Sequence, residues 1–283
     1  MTSSHSDKDK GYGLDHLRAE VNYRPRWGEV SAAWRQTVSC QCDVSYGVGD
    51  RGFLDFFPAA NAATAPTLVF IHGGYWHKGD KSFYSFVAQP FVERGVSCIT
   101  LNYDFCPSVH ITDITAQVQQ ALVWIWRHAD ELGIDGNRLH LSGHSAGGHL
   151  TAMMATTRWS DVAPDLPSDL IKSAIPVSGL FNLAPLLVEP VNEVLRLTKQ
   201  EAHEQSPLER VANTRVPHLV GSGGHESDAF NGQSDAYAAA LQQAGVAVER
   251  LQAPRCNHFE VMDAYADPQS ELFQKMLALI QRS

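Results

Sequence analysis

The sequence predicts an α/β fold: a mostly parallel eight-stranded sheet flanked by helices, with a small cap insert. Three observations carry that prediction. Short apolar or alternating runs recur along the 283 residues, separated by stretches with helical spacing. The run Thr67–Ile71 is uninterrupted, the pattern of a strand buried on both faces. The alternation is interrupted between the sixth and seventh strands, over residues 180–213.

Taken in order, strands are expected at 37–45, 52–57, 67–71, 96–102, 138–142, 171–178, 216–221 and 246–252. Helices are expected near 82–94, 113–132, 146–157, 229–244 and 269–282. Asp113 is the expected cap of the second helix, where Ile114, Val118, Ala121, Leu122 and Ile125 repeat at helical spacing. The 180–213 insert reads as a cap, and Leu183, Leu186, Leu187 and Val188 either wall an apolar pocket or pack the cap onto the domain. Tyr23, Trp27 and Trp34, upstream of the first strand, are candidates to fold over the mouth of a site.

Length fits one domain with a sizeable core. Residues 1–11 are polar, without the apolar centre of a signal peptide, and read as a disordered tail; the domain is expected over 12–283. No run of roughly eighteen apolar residues exists, so no membrane span is expected. A net charge of −9 argues against nucleic acid or an anionic membrane surface as partner. Five cysteines, an odd count, point to a reduced, cytoplasmic setting. Cys40 and Cys42 are too closely spaced for a zinc or redox pair. No His-Glu-x-x-His pattern occurs, so neither a metal nor any other cofactor is expected.

The chemistry is concentrated in Gly143-His144-Ser145-Ala146-Gly147. A strand-like segment precedes this G-x-S-x-G pattern and a helix-compatible one follows it, the setting of a nucleophile elbow. Glycines at both flanks let the chain bend sharply enough to expose a serine hydroxyl at the carboxyl edge of a sheet. A helix N-terminus behind the serine favours developing negative charge. Upstream, the buried run Thr67–Ile71 leads directly into His72-Gly73-Gly74-Tyr75-Trp76, which fits an oxyanion loop. Gly73, Gly74 and Ala146 are the expected backbone donors, because an N–H must approach the substrate oxygen with no side chain in the way. Tyr75 and Trp76 are the expected contacts for an aromatic substrate group. His72 reads as a shaper of the loop through hydrogen bonds, His144 as the variable elbow position and His149 as a helix residue facing the sheet.

An activated serine needs a histidine base and a carboxylate to fix its tautomer, in the chain order Ser, Asp/Glu, His for α/β-hydrolases. His258 lies in the last strand–loop–helix connection, where that fold puts its base. The acid should follow the strand at 216–221, where Glu226 and Asp228 compete. Glu226 is favoured, and Asp228 reads as the cap of the helix beginning near Ala229. Cys256 lies near His258, but serine already holds the elbow.

On these motifs the chain resembles the kynurenine formamidase (arylformamidase) branch of the α/β-hydrolase fold. The resemblance rests on H-G-G-Y-W at 72–76, G-H-S-A-G-G-H-L at 143–150, H-E-S-D-A-F at 225–230 and N-H-F-E at 257–260. Leu101–Asp104 with Pro107, and Ser206–Leu208, are similar as well. The chain departs from the branch at Asp228-Ala229, where Pro-Glu is usual, and at Asn257, where Asp is frequent. The resemblance supports Glu226 as the acid and implies a serine hydrolase cleaving an aryl formamide such as N-formylkynurenine to kynurenine and formate. A short-chain carboxylesterase using the same residues is the alternative, and a non-catalytic binding protein on the same fold a remote one. The expected partner is a small aromatic formamide or ester, and a homodimer is compatible with the reading.

Overall fold

The computed structural model describes residues 11–14 and 23–283. Apart from Gly11, the expected tail lies outside the described residues. Eight strands form one sheet: β1 Gln41–Ser45, β2 Phe53–Phe57, β3 Thr67–Ile71, β4 Ser97–Leu101, β5 Leu139–His144, β6 Ile171–Val177, β7 His218–Gly223 and β8 Val248–Ala253. Their spatial order is β1-β2-β4-β3-β5-β6-β7-β8. β2 is antiparallel to both its neighbours, and every other pairing is parallel.

Burial explains the strand patterns. Every residue of β3, β4 and β5 is buried, because helices cover both faces of the central sheet. β1 and β8 are the edges and stay largely accessible. The register pairs Ile71 with Gly143, so β3 and β5 deliver the loop at 72–76 and the elbow to the same carboxyl edge. That register is what places the site.

Six longer helices flank the sheet: α1 Tyr23–Arg35, α2 Ser85–Val92, α3 Ile111–Arg127, α4 Ala146–Ala155, α5 Asp228–Gln243 and α6 Glu271–Arg282. In α6, Leu272, Phe273, Met276, Leu279 and Ile280 form the buried stripe, and the Ser270 hydroxyl accepts the Phe273 N–H at 3.0 Å. Two caps differ from expectation. α3 starts at Ile111, and the His110 N–H donates to Asp113 Oδ2 at 2.9 Å; Asp113 therefore sits in the first turn and reaches back, instead of capping. α5 starts at Asp228 after Ser227, whose hydroxyl accepts the Phe230 N–H; Asp228 is an exposed first-turn acid, not the cap. α3 also ends earlier than expected, and a separate turn at Ala129–Leu132 closes on Gly133, whose φ of 68° suits glycine.

α1 had no clear signal in the sequence. Its apolar positions are sparse, but Trp27 is buried against Tyr84, Phe86 and Phe259, which fixes the helix across α2. Tyr23 stacks on Phe259 beside His258, whereas Trp34 packs on Phe57 of β2. Tyr23 and Trp27 border the expected site; Trp34 packs away from it. The insert runs through a 3₁₀ turn Ala184–Val188, short helices Asn192–Leu195 and Lys199–Glu204, and a 3₁₀ segment Pro207–Asn213. Leu183 and Leu186 are fully buried in the main core, while Val188 is 88 % exposed. Those leucines pack the insert onto the domain. Among the described residues no helix is long and apolar enough to cross a membrane.

Candidate active site

Ser145 lies between β5 and α4 with φ 58° and ψ −118°, a conformation disfavoured for any residue with a Cβ. Close backbone approach enforces it. A Cβ on Gly147 would overlap the carbonyl of Ile71 at the end of β3, so only glycine allows α4 to start there. The Ser145 N–H donates to the Val177 carbonyl at 2.9 Å, tying the elbow to the end of β6. Ala146 opens α4, so its N–H is among the unpaired donors of the helix start. The serine side chain is only slightly accessible.

The loop after β3 is pressed against this elbow. A Cβ on Gly73 would lie 2.7 Å from the His144 carbonyl oxygen and 3.0 Å from Ser145 Cβ. Gly74 has φ 135°, which a side chain would not tolerate. His72 sits between the rings of Tyr103, 4.5 Å away, and Tyr84, 6.0 Å away. Its Nδ1–H donates to the Gly73 carbonyl at 2.9 Å, and burial lowers its pKa to about 4. The imidazole is thus a neutral brace for the loop, as expected. Tyr75 and Trp76 follow in left-handed conformation, with φ of 52° and 54°. Tyr75 lines a cavity, whereas the Trp76 ring is fully buried and meets His149 edge-on at 5.0 Å. His149 in turn faces the insert, donating Nε2–H to the Gln205 carbonyl at 2.7 Å.

The third component comes from β7 and the loop after β8. Glu226 Oε2 accepts from His258 Nδ1 at 2.8 Å, with both side chains buried. Its other oxygen, Oε1, accepts from the Ser178 hydroxyl and from the Gly223 N–H, each at 2.5 Å. A buried carboxylate with all three donors satisfied is held in one orientation. With Nδ1–H pinned in this way, His258 presents Nε2 as a proton acceptor. Asp228 is two residues further on, exposed, with no contact to His258.

His144 joins the two halves. Its Nε2–H donates to the His258 carbonyl at 2.8 Å, and the two rings lie 4.7 Å apart. Burial and the neighbouring His258 hold its pKa well below the ordinary histidine range, so the ring stays neutral. Ser178 and His144 were not singled out by the sequence for these contacts. Ser178 closes β6 with φ 51°, and only the pairing of β6 with β7 brings it under Glu226. Asn257 takes a structural job, accepting the N–H groups of Phe259 and Glu260 with its side-chain oxygen while its amide reaches Tyr23. Among the described residues no three His, Cys, Asp or Glu side chains converge as a metal site would require.

Strand order, elbow and buried carboxylate–imidazole pair define an α/β-hydrolase, and the protein is a hydrolase. Comparisons with known proteins agree. The BD-FAE family matches residues 54–241. Kynurenine formamidase of Salmo salar is 31% identical over 278 residues, covering 95% of this chain and 90% of that protein. Kynurenine formamidase of Danio rerio is 30% identical over 277 residues with the same coverage. A crystal structure from Silicibacter sp. TM1040, assigned provisionally as a thioesterase, superposes with a TM-score of 0.80 at 31% identity, covering 98% of this chain and 97% of that one. The chain belongs to the BD-FAE family and to the kynurenine formamidase branch of the α/β-hydrolases.

Proposed function

We propose that the protein hydrolyses an aryl formamide, N-formylkynurenine or a close analogue, releasing formate and the free aromatic amine. In this reading Ser145 Oγ attacks the formyl carbon while His258 Nε2 takes its proton. Backbone N–H groups of Gly73, Gly74 and Ala146 receive the developing oxyanion. Collapse breaks the C–N bond, and His258 returns the proton to the departing amine. A water, deprotonated by the same imidazole, then attacks the formyl–serine ester and frees formate. Glu226 keeps His258 in the tautomer that this cycle needs.

The observation that carries the proposal is the buried Glu226–His258 pair, joined through His144 to the elbow serine, in a chain 30% and 31% identical to two kynurenine formamidases over 95% of its length. An aryl formamide is an accessible target for this machinery, since the ring withdraws electrons from the leaving nitrogen and the formyl carbon is unhindered. A short-chain carboxylesterase would use the same residues, and the likeness to the esterase LipQ of Mycobacterium tuberculosis, 27% identical over 249 residues, supports it as the second reading. We further take the setting to be cytoplasmic, supported by five free cysteines, with no nucleic-acid partner, supported by the charge of −9.

Side-by-side turnover of N-formylkynurenine and p-nitrophenyl acetate separates the two. The formamidase reading expects the larger kcat/KM for the formamide. Turnover of the acetate alone would assign the protein to the esterases.

A further inference from the structure

Val177 and Ser178, at the end of β6, touch both halves of the site. The Val177 carbonyl accepts the Ser145 N–H at 2.9 Å. One residue on, the Ser178 N–H donates to the Gly221 carbonyl of β7 at 2.8 Å, and the Ser178 hydroxyl donates to Glu226 Oε1 at 2.5 Å. A single dipeptide therefore links the elbow serine to the carboxylate that holds His258. Ser178 is also fully buried and left-handed, with φ 51°. A side chain disfavours that conformation, which glycine adopts freely. The chain carries glycine at 179 but serine at 178. What serine adds at 178 and glycine could not is the hydroxyl on Glu226.

Glu226 Oε1 has a second donor, the Gly223 N–H, but that group lies three residues away in the same loop. It fixes the carboxylate to its own loop and no further. Asn231 of α5 ties the loop backbone separately, its amide donating to the Gly223 and Glu226 carbonyls at 3.3 and 3.2 Å. Deleting the Ser178 hydroxyl therefore leaves the loop fastened and releases only the carboxylate from β6. A hydrogen bond to a carboxylate is among the stronger ones, and a buried oxygen that loses one of its donors is poorly satisfied and free to turn. Oε2, which accepts from His258 Nδ1, turns with it.

Resting on Glu226 as the acid that orients His258, we propose that Ser178 is a positioning residue: its hydroxyl registers the Glu226 carboxylate, and through it the His258 ring, against the strand end that also holds the elbow. The strained backbone at 178 is retained for that contact. Ser178 touches neither the nucleophile nor a substrate, and it acts only through Glu226.

The test is a double-mutant cycle read by the rate at which an aryl organophosphonate labels Ser145, a measure of serine activation that assumes no substrate. Ser178→Ala keeps the Cβ and loses the hydroxyl. Ser178→Gly loses both but relieves the left-handed backbone, so it separates strain from hydrogen bonding. Thermal unfolding confirms that each variant is folded. Both changes are expected to slow labelling about tenfold or more in the wild-type background. In Glu226→Gln the side chain no longer fixes the His258 tautomer, so holding it in place gains nothing, and the same changes should cost less than about twofold. Labelling of Ser178→Gly at the wild-type rate overturns the proposal. An equal loss in both backgrounds also overturns it, because Ser178 would then act on the elbow without Glu226. Glu226→Gln labelled at nearly the wild-type rate overturns the assignment of the acid, and the role of Ser178 with it.

Discussion

At the elbow, β3, β5 and α4 touch backbone to backbone, with glycine wherever a side chain would intrude. Where the N-terminal segment meets the domain, Tyr12 is held by contacts from the side chains of Tyr75, Phe230 and Gln233. The difference separates what a hydrolase must keep from what it is free to change. Steric closure fixes where Ser145, Gly73 and Gly147 sit relative to the ends of β3 and β5. Side-chain contacts can be exchanged to suit a new leaving group without disturbing the chemistry. A fold arranged in this way can turn over esters, thioesters or formamides with one set of reacting atoms.

The sharpest way to break the comparison is to alter the fixed region without changing its shape. Glu226→Gln keeps the volume but replaces an acceptor of the His258 Nδ1–H with an amide able to donate, which favours the wrong tautomer. Activity should fall on the order of 10³–10⁴-fold in steady-state turnover, as removal of the charge does in other triads. Near-normal turnover would mean that His258 is oriented by something else. Next comes steric closure itself. Gly147→Ala places a methyl group on the Ile71 carbonyl and should lower stability by about 4 kcal/mol or prevent folding, read by urea unfolding. A loss below about 1 kcal/mol would show that β3 and α4 can part without strain.

The buried histidines give a third test. Burial lowers the pKa values of His72, His149 and His218 to about 4, against about 6.5 in the unfolded chain. Between those values the unfolded chain binds protons that the fold refuses. The stability these neutral rings contribute is complete above pH 6.5 and is lost progressively as pH falls to about 4. The thermal midpoint should therefore drop by roughly 10 °C or more from pH 7 to pH 4.5. A flat midpoint over that range would mean that these rings are protonated in the fold. The smallest effect belongs to Asp228→Asn, which leaves α5 with the Ser227 cap and should change kcat/KM by less than about twofold. A loss approaching that of Glu226→Gln would move the acid two positions along the chain.

Much of the fixed region was legible in the sequence because sterics leave a trace there. The glycines at 73, 74, 143 and 147 mark close approaches, and the apolar runs of β3 and the other central strands mark burial on both faces. Glu226 was favoured over Asp228, and the structure puts the Glu226 carboxylate on His258. Helix boundaries were less legible. His110 and Ser227 flank α3 and α5, and Asp113 and Asp228 lie inside the first turns, because an acid three residues in or at the helix start is compatible with either role. α1 was missed because its buried face, Tyr23, Trp27, Ser31 and Trp34, holds only three apolar side chains in thirteen residues, and these gain burial from partners distant in sequence. The same holds for Ser178 and His144, whose contacts to Glu226 and His258 depend on strand neighbours that no local pattern records.

The central claim is that Ser145 is the nucleophile, and covalent trapping reads it most directly. Wild-type protein treated with an aryl organophosphonate should gain one adduct, mapped by peptide mass spectrometry to Ser145, in step with complete loss of turnover. If His258 is the base of the proposed cycle, His258→Ala should slow the labelling sharply. Ser145→Ala should take no adduct and retain no more than roughly 10⁻⁴ of wild-type activity. An adduct on another residue, or a Ser145→Ala protein with more than about a tenth of wild-type turnover, would contradict the account.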